Sequence, residues 1–295
     1  FLQVKAMTIA TIDIGGTGIK FASLTPDGKI LDKASTPTPK TLEDLLVWLD
    51  QRLSEQDYSG IAMSVPGAVH QETGVIEGIS AIPYIHGFSW YEALSHHKLP
   101  VHLENDANCV GLSELLAHPE IENAACVVIG TGIGGAMIIN GKLHRGRHGL
   151  GGEFGYMTTI EPAEKLNNWS QLASTGNMVR YVIEKSGQTD WDGRKVYQEA
   201  VAGNALCQEA IERMNRNLAQ GLLNIQYLID PDVISLGGSI SQNPDFIKGV
   251  QKAVDAFVDR YEEYTIAPVI QACTYQADAN LYGALVNWLQ EENQW

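Results

Sequence analysis

The chain has 295 residues, 44% of them hydrophobic and 19% charged, the composition of a globular protein with material for one large or two medium domains. No apolar run approaches the roughly 20 residues that a membrane helix needs. The formal net charge of −15 opposes nucleic-acid binding, which rests on clustered Lys and Arg. Any phosphate site on this chain must use backbone amides, a metal ion and a few local cations.

Thr8–Ile14 and Gly18–Leu24 read as strands, and the turn Thr25-Pro26-Asp27-Gly28 leads to a third at Lys29–Ser35. Thr41 and Asp44 form a capping-box-like start to a helix striped by Leu42, Leu45, Leu46, Leu49 and Leu53. A buried strand, Gly60–Val65, ends at Pro66-Gly67; Trp90–His97 reads as a short helix. Val101–Leu103 runs into Glu104-Asn105-Asp106, with a helix over Ala107–Ala117. The second half repeats the opening. Strands are expected at Ala124–Ile129 and Ala136–Ile139, with a hairpin at Asn140-Gly141 into a third. A Gly-rich stretch, 146–155, and a polar, irregular region follow. A long helix over Ala205–Ile229 keeps Leu206, Ile211, Met214, Leu218, Leu222, Ile225 and Ile229 in phase until Asp230-Pro231 stops it. Val233–Leu236 is a strand ending in Gly237-Gly238. A helix at Phe246–Val258, a strand at Pro268–Ala272 and a helix at Ala279–Gln290 complete the chain. Three antiparallel strands followed by helix, strand and helix, twice over, is the plan of the actin-like ATPase (ribonuclease H-like) fold. The expected class is α/β, with two similar domains, 7–117 and 118–295, around a nucleotide cleft.

Two glycine-rich turns carry the chemistry: Asp13-Ile14-Gly15-Gly16-Thr17-Gly18-Ile19-Lys20 and Ile129-Gly130-Thr131-Gly132-Ile133-Gly134-Gly135. Glycine leaves no Cβ between main-chain amides and an anion, so a facing pair of such turns can hold a polyphosphate from both sides. Asp13 suits Mg²⁺ held through water, because a hard cation prefers carboxylate oxygen; an Asp also simply favours a turn. Thr17 and Lys20 add a hydroxyl and an ammonium to the cradle. Asp106, where a strand enters a helix, reads either as an N-cap or as the base that takes a proton from a hydroxyl attacking a γ-phosphate. Glu153, among glycines, reads as a ligand-facing or a solvated carboxylate. His144, Arg145, Arg147 and His148 form a basic run, expected to be a solvated loop. Trp90 and Tyr84 read as stacking platforms or as core.

Together these segments, with Glu104-Asn105-Asp106-Ala107-Asn108 and Gly152-Glu153-Phe154-Gly155, resemble the ROK family, specifically its sugar kinases, over nearly the whole chain from Met7. The resemblance implies that Asp106 is the catalytic base and that Asn105 and Glu153 contact sugar hydroxyls beside Gly67. It assigns ATP phosphates to Gly15, Gly16, Thr17, Lys20, Thr131, Gly132, Gly134 and Gly135, the adenosine to Gly237 and Gly238, and Mg²⁺ to Asp13. The cleft then holds both nucleotide and sugar. Two departures matter. Tyr156 stands where the family carries His, and Thr158–Thr175 has no cysteine for the family's zinc motif, so no structural zinc is expected. Ser170 lies nearest the position of a further sugar-contacting Glu. The Glu-Phe-Gly-Tyr variant resembles the β-glucoside kinase branch, in which a less crowded anomeric side admits an aglycone.

The expected activity is transfer of phosphate from Mg-ATP to a hydroxyl, O6, of glucose or a glucoside, with N-acetylmannosamine or fructose as alternative acceptors. A sugar-responsive regulator needs a DNA-binding module ahead of the first turn, for which Asp13 leaves no room; a non-catalytic sugar-binding protein has no use for Asp106. Cys109, Cys126, Cys207 and Cys273 are far apart in sequence and suggest neither zinc knuckle nor disulfide. A cytoplasmic location follows as the expectation. Phe1 to Ala6 read as a cloning remnant ahead of a native Met7. Self-association as a homodimer is expected from the related kinases.

Overall fold

The computed structural model describes residues 7–159 and 167–295; the expected remnant at the N-terminus lies outside them. The chain divides into two compact units. Unit 1 gathers the residues up to Glu120, Arg145–Leu150 and Ala277–Trp295; unit 2 holds Ile121–His144 and Gly151–Gln276.

Unit 1 is built on strands β1 (Ile9–Ile14), β2 (Gly18–Leu24), β3 (Ile30–Pro37), β4 (Gly60–Val65) and β7 (Val101–Asn105), in the order β3-β2-β1-β4-β7. A small hairpin, β5 (Ala68–His70) and β6 (Val75–Glu77), lies beyond β4. β1 pairs antiparallel with β2 and parallel with β4, and every β1 residue is buried. Burial on both faces explains its unbroken apolar run. Ile12 and Ile14 pack with Leu45, Leu49 and Leu53 of α1 (Leu42–Leu53), and with Trp90 of α2 (Trp90–Ala93). On the opposite face Ile9, Leu24 and Ala62 meet Cys109 of α3 (Asp106–Ala117) and Leu281, Leu285 and Trp288 of the last helix.

Unit 2 repeats the plan with β8 (Ala124–Ile129), β9 (Ile133–Ile139), β10 (Lys142–Leu143), β13 (Val233–Gly237) and β14 (Ile270–Ala272), in the order β10-β9-β8-β13-β14. A two-stranded ribbon, β11 (Thr158–Thr159) and β12 (Asn167–Asn168), leads to α4 (Trp169–Ala173), α5 (Thr175–Ser186) and α6 (Gly193–Val201). Helix α7 (Ala205–Ile229) buries Met214, Leu218, Leu222 and Ile225 against the sheet, with Phe246, Val250 and Val254 of α8 (Pro244–Val258). It ends as expected: Asp230 takes a left-handed conformation (φ 49°) ahead of Pro231. The doubled order of three antiparallel and two parallel strands is the actin-like ATPase fold.

Four details depart from the sequence reading. The last helix, α9 (Ala279–Glu291), belongs to unit 1 rather than to the C-terminal half. Strand β9 starts at Ile133, not Ala136, because Ile133 and Gly134 already pair with Ile129 and Val128. The segment 90–97 breaks into α2 and a one-turn 3₁₀ helix, Ser95–His97. Cys126 and Cys273, remote in sequence, bring their buried sulfurs to 3.6 Å, although, as expected, no disulfide joins them. Among the described residues no helix is long and apolar enough to cross a membrane.

Candidate active site

In unit 1 the β1–β2 turn is closed by Gly15 N–H donating to the Gly18 carbonyl at 3.1 Å. Gly16 and Thr17 are exposed at its tip. Asp13 sits just before the turn, and the sheet register explains its partners. Lys20 lies directly opposite on β2 and Ser64 directly opposite on β4. Lys20 Nζ donates to Asp13 Oδ2 at 3.3 Å, while Ser64 Oγ (3.3 Å) and Asn280 Nδ2 (2.9 Å) donate to Oδ1. Lys20 also donates to the Ala277 carbonyl, so the C-terminal segment helps to orient both charges. Asp13, Gly15, Thr17, Lys20 and Thr36 line an open cavity of about 500 Å³.

The β7–α3 junction settles which residue caps the helix. Asn105 is the N-cap: its Oδ1 accepts from Ala107 N–H at 2.9 Å and Asn108 N–H at 3.2 Å, and its Nδ2 donates to the Gly67 carbonyl at 3.1 Å. Asp106 is the first helical residue, with Oδ1 accepting from Ala107 N–H at 2.8 Å. Burial, with the charge of Asp13 adding to it, pushes the Asp106 carboxyl above the ordinary carboxylate range against the pull of the Ala107 and Asn105 hydrogen bonds. Gly67 has φ +109°, and a Cβ there would stand 2.8 Å from the Glu77 carbonyl. Only glycine therefore presents its carbonyl to Asn105 in this way.

A second layer was not foreseen. Glu104, 2% exposed, accepts from Asn105 N–H (2.8 Å) and Asn108 Nδ2 (2.9 Å) through Oε1, and from Arg145 Nε (2.6 Å) through Oε2. Arg145 also reaches Asn287 Oδ1 (2.8 Å) and Glu291 Oε1 (2.9 Å). Burial lowers the pKa of this guanidinium, but the charges and bonds of Glu104 and Glu291 outweigh that and raise it. Arg145, the second member of the basic run expected to be a solvated loop, is thus an internal counter-ion. A Glu closing an apolar strand was the available signal, since a buried charge calls for a partner. Trp90 is core, donating to the Ile85 carbonyl at 3.1 Å, and Tyr84 donates to the Pro39 carbonyl.

In unit 2 the β8–β9 turn is Gly130-Thr131-Gly132, closed by Gly130 N–H donating to the Gly132 carbonyl at 2.9 Å. Gly134 and Gly135 lie in β9, so they are not part of the turn. A Cβ on Gly135 would stand 2.5 Å from the Cys126 carbonyl and 2.6 Å from Phe154, a packing reason for glycine. Ser170 Oγ accepts from Ile133 N–H at 2.9 Å and donates to the Ile133 carbonyl at 3.2 Å, which makes it a brace for the turn. Tyr156 is 72% exposed. Glu153 precedes a one-turn 3₁₀ helix, Phe154–Tyr156, whose Phe154 and Gly155 are buried. Gly237 ends β13, and Gly238 (φ +89°) presses against the Ile129 carbonyl, next to the turn. Beyond it lies a cavity of about 710 Å³ lined by Thr175, Arg194, Tyr197, Ser239 and Asn243 among others. Thr175 Oγ1 and Tyr197 OH are buried there without hydrogen-bond partners. Burial, then the Asp245 charge, pushes the Tyr197 phenol up, so it stays a neutral donor. Neither residue stood out in the sequence, because a hydroxyl's lack of a partner is visible only in three dimensions.

The ROK family model matches residues 9–291. The chain belongs to the ROK family. It is 34% identical over 300 residues to the beta-glucoside kinase of Listeria monocytogenes, covering 98% of this chain and 99% of that protein. A crystal structure of a ROK family protein from Streptococcus pneumoniae TIGR4, in complex with sucrose, is 90% identical with a TM-score of 0.96, covering 98% of this chain and 100% of that one. A ROK hexokinase from Thermus thermophilus is 27% identical with a TM-score of 0.85, covering 97% and 100%.

Proposed function

We propose that this ROK kinase, an ATP-dependent phosphotransferase acting on sugars, moves the γ-phosphoryl group of ATP onto O6 of glucose or of a glucosyl unit, with Asp106 as base. One observation carries the reading. Asn105 caps α3 through the Ala107 and Asn108 amides, while Asp106, which shares only the Ala107 amide, stands beside it with a carboxyl whose pKa is raised by burial. A base of raised pKa is better matched to a sugar hydroxyl than an ordinary surface carboxylate. The pneumococcal relative is described in complex with sucrose and the Listeria relative is named for β-glucosides; both support recognition of a glucosyl ring.

In this reading Asn105 and Glu153 accept or donate at ring hydroxyls beside Gly67 and orient O6. The O6 lone pair attacks the γ-phosphorus as the bond to the β,γ-bridging oxygen breaks, Asp106 Oδ takes the proton, and ADP leaves. Positioning and charge neutralisation supply most of the catalysis. Amides of Gly15–Thr17 and of Thr131–Gly132, with Lys20, contact the phosphate oxygens; Gly134 and Gly135 act by shaping the strand that follows. The nucleoside occupies the cavity beside Gly237-Gly238, where the Thr175 and Tyr197 hydroxyls await partners. Asp13 would hold Mg²⁺, which would supply charge neutralisation to the phosphates. The donors fit it: Asp13 already accepts from Lys20, Ser64 and Asn280, so its carboxylate suits a cation held through water better than a direct ligand bond. No thiolate zinc centre is assigned to Thr158–Thr175, part of which lies outside the described residues. A cytoplasmic homodimer completes the proposal.

The test is an ATP-consumption panel of glucose, cellobiose, sucrose, N-acetylmannosamine and fructose, with the phosphorylated position mapped by NMR. Phosphate on O6 of a glucosyl unit is expected. ADP release indifferent to every sugar, or phosphate on another hydroxyl or only on N-acetylmannosamine or fructose, contradicts the reading.

A further inference from the structure

Unit 1 carries a second cluster of ligand-type side chains away from Asp13, Asn105 and Asp106. Asp50 lies in the last turns of α1, held by buried Leu49 and Leu53. His96 and His97 lie in the 3₁₀ turn Ser95–His97, which is closed by His97 N–H to the Leu94 carbonyl (3.1 Å) and Lys98 N–H to the Ser95 carbonyl (3.0 Å). Leu94 and Trp90, both fully buried, anchor that turn to the core. The two imidazoles, with centroids 4.1 Å apart, aim the same ring nitrogen at one oxygen: His96 Nε2 is 3.0 Å and His97 Nε2 2.8 Å from Asp50 Oδ1.

We propose that Asp50, His96 and His97 form a binding site for a divalent first-row cation, zinc by the nature of its donors. The three ligand atoms lie within 4.8 Å of one another. Ligand bonds of about 2.0–2.2 Å to a tetrahedral ion separate neighbouring ligand atoms by about 3.3 Å, so the two His–Asp50 separations open by only a few tenths of an ångström to admit one. Two imidazoles and one carboxylate suit zinc, copper or nickel rather than magnesium or calcium. Side-chain exposure of 13% at His97, 56% at His96 and 43% at Asp50 gives one covered ligand and two at the water boundary. That is a three-ligand arrangement with its remaining position open to solvent. An ion here takes the Nε2 lone pairs of two neutral imidazoles, whose protons then sit on Nδ1, and ties α1 to the segment that enters β7 at Val101, the strand ending in Asn105. The site uses no residue assigned to nucleotide or sugar, and it is separate from the cysteine-free stretch Thr158–Thr175.

The experiment is calorimetric titration of ZnCl₂ into the tag-free, chelator-stripped full chain, paired with visible absorption of the Co²⁺ form and with melting curves. One saturable zinc equivalent is expected, with cobalt d–d bands and a rise in Tm. His96→Ala, at an exposed position that does not endanger folding, weakens binding at least tenfold and abolishes the Tm rise; Asp50→Asn does the same. Absence of saturable zinc uptake, or uptake of equal affinity in His96→Ala and Asp50→Asn, overturns the assignment.

Discussion

Replacing Arg145 with Met removes the arginine that pairs with Glu104, a carboxylate that is almost wholly buried. Glu104 keeps two good donors on Oε1, from Asn105 and Asn108, but Oε2 loses the 2.6 Å bond to Arg145 and, among the described residues, retains the long contact from Gln71 at 3.4 Å. Breaking a buried pair from one side costs about 3–5 kcal/mol. The retained donors, and the partial exposure of the guanidinium, place this case near about 3 kcal/mol. At about 2–4 °C per kcal/mol, Tm falls by about 6–12 °C. The double variant Arg145→Met/Glu104→Gln leaves no buried charge behind, since Glu291 is partly exposed, and recovers part of the loss, a coupling of about 1–3 kcal/mol. Differential scanning calorimetry of both variants at pH 7 reads both quantities. A single variant within about 0.5 kcal/mol of wild type, or a double variant no more stable than Arg145→Met, refutes the ion pair's role.

Other expectations concern the site itself. Burial, before the Asp13 charge, raises the Asp106 pKa; the ionised form then weakens the fold above that pKa, so Asp106→Asn keeps or raises Tm at pH 7 while kcat collapses, and wild-type kcat falls as pH drops through the raised value. Melting curves and a pH–rate profile check both halves. Gly67→Ala forces a Cβ to 2.8 Å from the Glu77 carbonyl at φ +109° and displaces the carbonyl that holds Asn105. It costs about 1–3 kcal/mol and raises the sugar KM more than the ATP KM. Chelation by EDTA stops turnover, and Asp13→Asn raises the Mg²⁺ concentration for half-maximal rate, measured by ADP release, with the sugar KM nearly unchanged.

Much of this was legible in the sequence because it is local. The β1–β2 hairpin follows from apolar runs around Gly15-Gly16, α1 from the Thr41 cap and its leucine stripe, and α7 from a helical period that Asp230-Pro231 ends. The candidate base was visible as a carboxylate at a strand-to-helix junction, but the placing of its neighbour Asn105 as the N-cap depends on contact with the Gly67 carbonyl, 38 residues away in sequence. What escaped is long-range. Helix α9 carries no mark of the unit it packs in; its place against α3 depends on Gly283 meeting the Cys109 backbone closely. Arg145 looked like one member of a basic loop run, and its pairing with Glu104 spans 41 residues. Gly134 and Gly135 looked like turn glycines, when the need at Gly135 is room for Phe154 and the Cys126 carbonyl.

The central claim is that Asp106 primes a sugar hydroxyl for attack on ATP. Rapid-quench measurement of sugar-phosphate formation by wild type and Asp106→Ala, with ATP affinity and Tm recorded on the same samples, tests it most directly. The account predicts that sugar phosphate forms about 10²–10⁴ times more slowly in the variant while ATP affinity and Tm hold. A variant that phosphorylates sugar within a factor of ten of wild type contradicts it.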